Sequence, residues 1–297
     1  MSFDPKGIIL AAGKGTRLMP ATLPASKPLL PLYDKPMIYY PLETLVRLGI
    51  REILFIVQEE DLSIFQKTFG SGQEAGLNFS YKIQKIQRGI SDAYFIAEDF
   101  LDGASSVLAL SDNIFLGKNF FTSAAEALTK MKQKGSSIFG LTVPDPEKYG
   151  VIEIDKNDNI IGIKEKPTQP KSNLITPGMY FFDSSACEHA KTLKPSARGE
   201  LEITDLIGIY LSQNKLALQR LDENIIWHDT GNADALLTAA QKVKKYEIEN
   251  KVKVGSYEIA SYEKGLISRA ALLKIAEKFI QSDYGQYIKN IYLKDKN

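Results

Sequence analysis

Gly7-Ile8-Ile9-Leu10-Ala11-Ala12-Gly13-Lys14-Gly15-Thr16-Arg17 is an apolar run that breaks into a glycine-containing basic loop, with Pro20, Lys27-Pro28 and Pro31 following at short intervals. The run reads as a buried strand and the break as a phosphate-binding loop. Glycine lets backbone N–H groups approach an anion closely, and Arg17 and Lys27 neutralise charge that those groups offset only in part. Two commoner phosphate loops do not fit. A dinucleotide fingerprint requires a third glycine where Leu18 stands, and a Walker A loop requires glycine at Ile8 and serine or threonine at Gly15. Prolines at positions 20, 24, 28 and 31 forbid a regular helix after the loop, so an extended basic segment is expected to wrap a polyphosphate ligand.

Outward from this loop, short apolar runs at 6–11, 52–57, 79–83, 106–110 and 137–143 alternate with helical patterns at 37–48 and 121–131. That alternation predicts βαβ units. Ligands collect at the carboxyl ends of strands in open sheets, so the loop at 12–17 and Asp112 are expected to face one cleft. The second half changes character. Residues 149–154 and 160–164 flank a polar turn and read as an antiparallel hairpin, with 177–182 a further strand of an insertion over the cleft. A helix at 202–211, strand-like runs at 212–221 and 225–229, and helices at 233–250, 268–281 and 283–292 complete the chain. The expected fold class is α/β: a Rossmann-like, mainly parallel sheet flanked by helices, with an antiparallel insertion at about 144–225 and a C-terminal helical extension. Residues 1–231 are read as the core and 232–297 as the extension packed on it.

Composition removes several function classes. The 37 lysines and arginines nearly balance 36 aspartates and glutamates, with no long block of either sign, which argues against nucleic acid or an anionic membrane surface as partner. No apolar run approaches the roughly eighteen residues of a membrane span, and Met1-Ser2-Phe3-Asp4-Pro5-Lys6 enters the first strand with no room for a signal peptide, so a cytoplasmic location is expected. The single cysteine, Cys187, allows neither an internal disulfide nor a cysteine metal cluster and reads as a small packing residue on a helix.

The stretches from Leu10 to Thr22 and from Ser26 to Leu42 resemble the signature of the sugar-1-phosphate nucleotidylyltransferases, most of all the glucose-1-phosphate thymidylyltransferase branch. Further matches follow in family order at Leu110-Ser111-Asp112-Asn113, Tyr149-Gly150-Val151, Glu165-Lys166-Pro167, 194–202 and Asp229-Thr230-Gly231. The resemblance implies joining dTTP to glucose 1-phosphate with release of pyrophosphate, assisted by Mg²⁺. It implies that Arg17, Lys27 and Lys166 are catalytic cations. Nucleotide binding would fall to Leu10, Ala12, Gly13, Gly15, Thr16, Arg17, Gln84, Gly89 and Asp112, and the metal to Asp112 and Asp229. Asn113, Tyr149, Gly150, Glu165 and Lys166 would hold the sugar phosphate, making 144–225 a sugar-binding insertion. A glutamine amide presents both a donor and an acceptor, which suits the pyrimidine edge of thymine and uracil alike. A homotetramer is implied as well. Two other readings stay open: an enzyme that uses UTP, and a catalytically silent relative that binds a nucleotide sugar.

Four departures from the pattern stand out. Ala11-Ala12-Gly13 replaces Ala-Gly-Gly, and Pro28 replaces a glutamine. Gly89-Ile90-Ser91-Asp92 replaces Gly-Leu-Ala-Gln, with Asp92 expected to cap the following helix. In Tyr262-Glu263-Lys264-Gly265 a glutamate stands where the pattern has an arginine at a regulatory nucleotide-sugar site, which predicts weakened feedback inhibition.

Overall fold

A computed structural model describes residues 4–294, so the leader reading at Met1–Phe3 lies outside the described residues. The chain begins with β1 (Lys6–Leu10), a short hairpin of β2 (Pro31–Leu32) and β3 (Lys35–Pro36), α1 (Tyr39–Arg47), β4 (Glu52–Val57) and α2 (Leu62–Phe69). It continues through β5 (Asn78–Ile83), α3 (Asp92–Leu101), β6 (Ser106–Leu110), β7 (Asn113–Leu116), α4 (Phe120–Lys134) and β8 (Ser136–Thr142). The second half supplies β9 (Gly150–Ile154), β10 (Ile160–Glu165), β11 (Leu174–Thr176), β12 (Met179–Phe182), α5 (Ala186–Lys191), α6 (Ile203–Ser212), β13 (Leu216–Arg220) and β14 (Ile226–Asp229). Four helices close the chain: α7 (Ala233–Asn250), α8 (Tyr257–Glu263), α9 (Arg269–Lys278) and α10 (Asp283–Lys294).

Ten strands form one sheet in the order β10-β9-β11-β8-β12-β6-β1-β4-β5, with β13 also on β8. The half that carries β1 is parallel, β6-β1-β4-β5, as its apolar runs predict. Alternation along those runs sends neighbours to opposite layers. Ile9, Phe55, Val57, Val107 and Phe181 face the core under α1, α2, α4 and α8, while Ile8, Leu54, Ile56, Leu108 and Phe182 face α3, α5 and α6.

The strand expected within the insertion at 177–182 is instead β12, inside the main sheet between the antiparallel neighbours β6 and β8. All four of its residues are buried, and a Met-Tyr-Phe-Phe strand gains more between two apolar layers than over an open cleft. Six elements were not foreseen: the hairpin strands β2 and β3, the strand β7, which pairs antiparallel with β14, the short strand β11, and the helices α2 and α8.

α8 packs on α1 and carries a buried carboxyl, Glu258, which accepts a hydrogen bond from Tyr284 Oη at 2.6 Å. Burial pushes Glu258 up to about 7, above the ordinary glutamate value of 4.5. The folded protein thus holds a proton that the unfolded chain releases between those two values, so this group costs stability as pH rises through that window. Glu258→Gln is expected to raise stability at pH 8 by up to about 3 kcal/mol and to flatten stability between pH 5 and 7, read by denaturant melts. A variant that melts earlier at pH 8 contradicts this.

Candidate active site

The loop after β1 forms no regular helix, as its prolines predict. Gly15 adopts φ +60°, and a Cβ there would stand 2.9 Å from Thr22 Cγ2 and 3.0 Å from Lys27 Cβ, so only glycine lets the loop lie against the basic segment. Ala12 is buried, while Gly13, Thr16 and Arg17 are exposed. Only single 3₁₀ turns form at Thr16–Leu18 and Lys27–Leu29. The second turn holds Lys27 in a buried position with its Nζ 2.5 Å from Asp112 Oδ2.

Two carboxylates remote in sequence meet because β7 and β14 pair in a register that sets Asp229 opposite Asn113, the residue after Asp112. Thr230 then donates twice to the Asp112 carbonyl, from its N–H at 3.2 Å and its hydroxyl at 3.0 Å. Asn113 fastens the junction. Its Oδ1 accepts from Gly178 N–H at 3.0 Å and from Trp227 Nε1–H at 2.8 Å, and its Nδ2 donates to Asp112 Oδ1 at 2.9 Å. Burial, then the neighbouring Asp112 carboxylate, raise the Asp229 carboxyl above the usual aspartate range, against the pull of Lys27, Arg17 and Lys166. Two carboxylates and three cations therefore share one field.

One cleft is lined by Arg17, Asp112, Asn113, Tyr149, Gly150, Glu165, Lys166 and Asp229. Leu10 stands at the end of β1, and Lys27 joins through Asp112. Lys166 follows β10 with φ +40°, a left-handed conformation that costs a lysine about 1–2 kcal/mol and persists only where its surroundings fix it. Its N–H donates to the Tyr149 carbonyl at 3.0 Å. Burial raises the Glu165 carboxyl, opposed by Lys166, and Thr204 Oγ1 donates to it at 3.3 Å. Gly150 is the floor: a Cβ would fall 2.8 Å from Thr204 Cγ2.

Gln84 and Gly89 are not among the residues lining this cleft and lie on the segment after β5. Gln84 donates its N–H to the Val57 carbonyl, while the neighbouring Ile90 reaches the cleft wall. Gln87 Nε2 donates to the Ala12 carbonyl and so ties this segment to the phosphate loop. Asp92 does not cap α3 with its side chain. It is the first helical residue, and its carboxylate is taken by Gln84 and Arg88, both of which are better placed donors than the helix N–H groups.

Sequence reasoning gave no role to Trp227, Gly178 or Arg198. Trp227 lines the cleft with its ring edge-on to Tyr149, centroids 5.0 Å apart. A signal existed, since Trp227 lies two residues before Asp229 on one strand and so shares its face. Gly178 is crowded against Asn113, and Arg198 links Glu165 to Glu202, contacts no local pattern announces.

A larger cavity of about 510 Å³ lies between α2, α8 and α9 and shares no residue with this cleft. No helix among the described residues is long and apolar enough to cross a membrane.

The sequence model of the nucleotidyl transferase family matches residues 6–246. The glucose-1-phosphate thymidylyltransferase of Neisseria gonorrhoeae is 42% identical over 286 residues, covering 96% of this chain and 99% of that protein. That of Mycobacterium tuberculosis (strain ATCC 25618 / H37Rv) is 42% identical over 284 residues, covering 95% and 97%. A crystal structure from Bacillus anthracis, in complex with a sucrose, superposes with a TM-score of 0.73 at 37% identity over 80% of this chain and 94% of that one. A UDP-glucose pyrophosphorylase bound to UDP-glucose shares the fold, with a TM-score of 0.72 at 23% identity over 82% of this chain and 99% of that one.

Proposed function

The chain belongs to the nucleotidyl transferase family, and from that premise we propose that it condenses dTTP with α-D-glucose 1-phosphate to give dTDP-glucose and pyrophosphate. The observation that carries this reading is the pairing of β7 with β14, which sets Asp112 and Asp229 among Arg17, Lys27 and Lys166.

The attacking group is an oxygen of the sugar phosphate, which forms a bond to the α-phosphorus of dTTP as the bond to the bridging oxygen of pyrophosphate breaks. A phosphate monoester with a second pKa of about 6 is already mostly dianionic at neutral pH, so no side chain has to act as a strong base. Positioning and charge neutralisation then do most of the catalysis. Arg17, with its planar donor fork, takes the phosphates that leave. Lys27 faces the α-phosphate, Lys166 orients the attacking phosphate, and Glu165 accepts from sugar hydroxyls beside the Gly150 backbone.

The donor set suits Mg²⁺. Among the described residues no group of three or more histidine, cysteine, aspartate or glutamate side chains could enclose a metal, whereas Asp112 and Asp229 offer two carboxylates. Mg²⁺ takes one or two carboxylates and fills its remaining positions with phosphate oxygens and water. When bound, it would supply charge neutralisation at the phosphates.

Residues 232–297 are read as a helical extension of the core from their helical patterns, the location as cytoplasmic from the sequence, and the assembly as a homotetramer on the resemblance alone. The weakened feedback reading draws support from Glu263, which ion-pairs with Arg47 at 2.6 Å and leaves the Arg47 guanidinium shared with Glu43.

Pyrophosphate release with glucose 1-phosphate and Mg²⁺ tests the assignment across dTTP, UTP, CTP, ATP and GTP. Highest kcat/KM with dTTP is expected, and a preference for UTP would move the protein to the uridylyl reading. Trp227, the only tryptophan in the chain, gives an independent signal. Glucose 1-phosphate is expected to change its emission saturably, and Lys166→Ala to weaken that titration at least about tenfold. Emission that ignores the sugar phosphate would place the sugar elsewhere.

A further inference from the structure

Asp92 departs from the family pattern, and its surroundings give it a task. It is 2% exposed, and its carboxylate is held by two donors: Gln84 Nε2 at 2.9 Å to Oδ2 and Arg88 Nη2 at 2.6 Å to Oδ1. A carboxylate paired with a guanidinium only accepts, and a guanidinium only donates. The Gln84 amide therefore has a single favourable orientation, with its nitrogen toward Asp92. An amide at position 92, as in the family pattern, can both donate and accept, so the way Gln84 turns would then depend on which of its two ends that amide's other neighbours hold.

The backbone around this contact is closely packed and hydrogen-bonded. Gly89 has φ +104°, and a Cβ there would lie 2.5 Å from the Leu201 carbonyl oxygen. Leu201 N–H donates to the Arg88 carbonyl at 2.6 Å, and Ser91 Oγ donates to the Glu202 carbonyl at 2.9 Å. The Arg88 guanidinium also lies over the Phe95 ring, 5.6 Å from its centroid.

We propose that Asp92 is a positioning residue that sets the polarity of the base-reading edge: by holding the Gln84 nitrogen it leaves Oε1 as an acceptor and the second N–H as a donor. That edge complements N3–H and O4 of thymine or uracil and opposes cytosine, whose N3 accepts and whose N4 donates. The inference rests on the reading of Gln84 as the base contact.

Asp92→Asn tests it. Arg88, a pure donor, keeps the carbonyl oxygen of the substituted side chain toward itself, so the new NH₂ group faces Gln84 and forces the Gln84 amide to turn over. dUTP and dCTP differ only at the edge in question, so the ratio of their kcat/KM values is the readout. The wild-type ratio is expected to favour dUTP at least about 100-fold. Asp92→Asn is expected to lower it at least about tenfold at an unchanged melting temperature. Asp92→Ser, whose hydroxyl both donates and accepts, is expected to lower it less, and it carries the test if the asparagine variant does not fold. In a Gln84→Ala background, Asp92→Asn is expected to have no further effect on the ratio. If Gln84→Ala collapses the ratio while both Asp92 variants stay within about twofold of wild type, Asp92 has no such role. If Gln84→Ala leaves the ratio unchanged, the base contact itself is wrongly placed and the inference falls with it.

Discussion

Asp112→Asn is expected to lower turnover at least about 10³-fold while nucleotide affinity stays within roughly tenfold of wild type. The two carboxylate oxygens of Asp112 each accept from a donor, Lys27 Nζ at 2.5 Å and Asn113 Nδ2 at 2.9 Å. An asparagine amide keeps the shape but removes the charge, and whichever way it turns, its NH₂ meets one of those donors. The cluster then loses half of its carboxylate charge at the place where the metal and the α-phosphate belong. The fold is spared, because Asn113 still bonds Gly178 and Trp227. Pyrophosphate release gives the turnover and isothermal titration with dTTP gives the affinity. Turnover within tenfold of wild type would remove Asp112 from the chemistry.

Lys27→Met is expected to reduce kcat about 10²–10³-fold with little change in KM for glucose 1-phosphate. Lys27 is 7% exposed and follows Ser26 into a turn fixed by Pro28, so its ammonium group is held in place before any substrate arrives. Methionine fills the same narrow space without charge. The transition state then loses the cation facing the α-phosphate, while the sugar phosphate keeps Lys166. Loss confined to kcat is the signature of an interaction made in the transition state. A variant whose KM for glucose 1-phosphate rises while kcat holds would instead place Lys27 among the sugar-binding groups.

Much of this arrangement is legible in the sequence, because it rests on local rules. The parallel half of the sheet follows from continuous apolar runs, and the loop after β1 follows from its glycines and prolines. Asp112 and Asp229 each end an apolar strand-like run, which places both at the carboxyl edge where β7 and β14 then join them. What stays hidden depends on contacts distant along the chain. The burial of β12 between β6 and β8 is decided by layers that form far away in sequence. The capture of Asp92 by Gln84 and Arg88 overrides a helix-capping preference that its local sequence supports. Likewise, the sequence shows Asn113 beside an aspartate, but only the folded cleft shows its carbonyl already taken by Gly178 and Trp227.

The most direct test of the central claim is ³¹P NMR of the purified protein with dTTP, glucose 1-phosphate and Mg²⁺. Equal amounts of dTDP-glucose and pyrophosphate are predicted, with no product when glucose 1-phosphate is omitted. Inorganic phosphate as the product, or pyrophosphate formed without any nucleotide sugar, would contradict it.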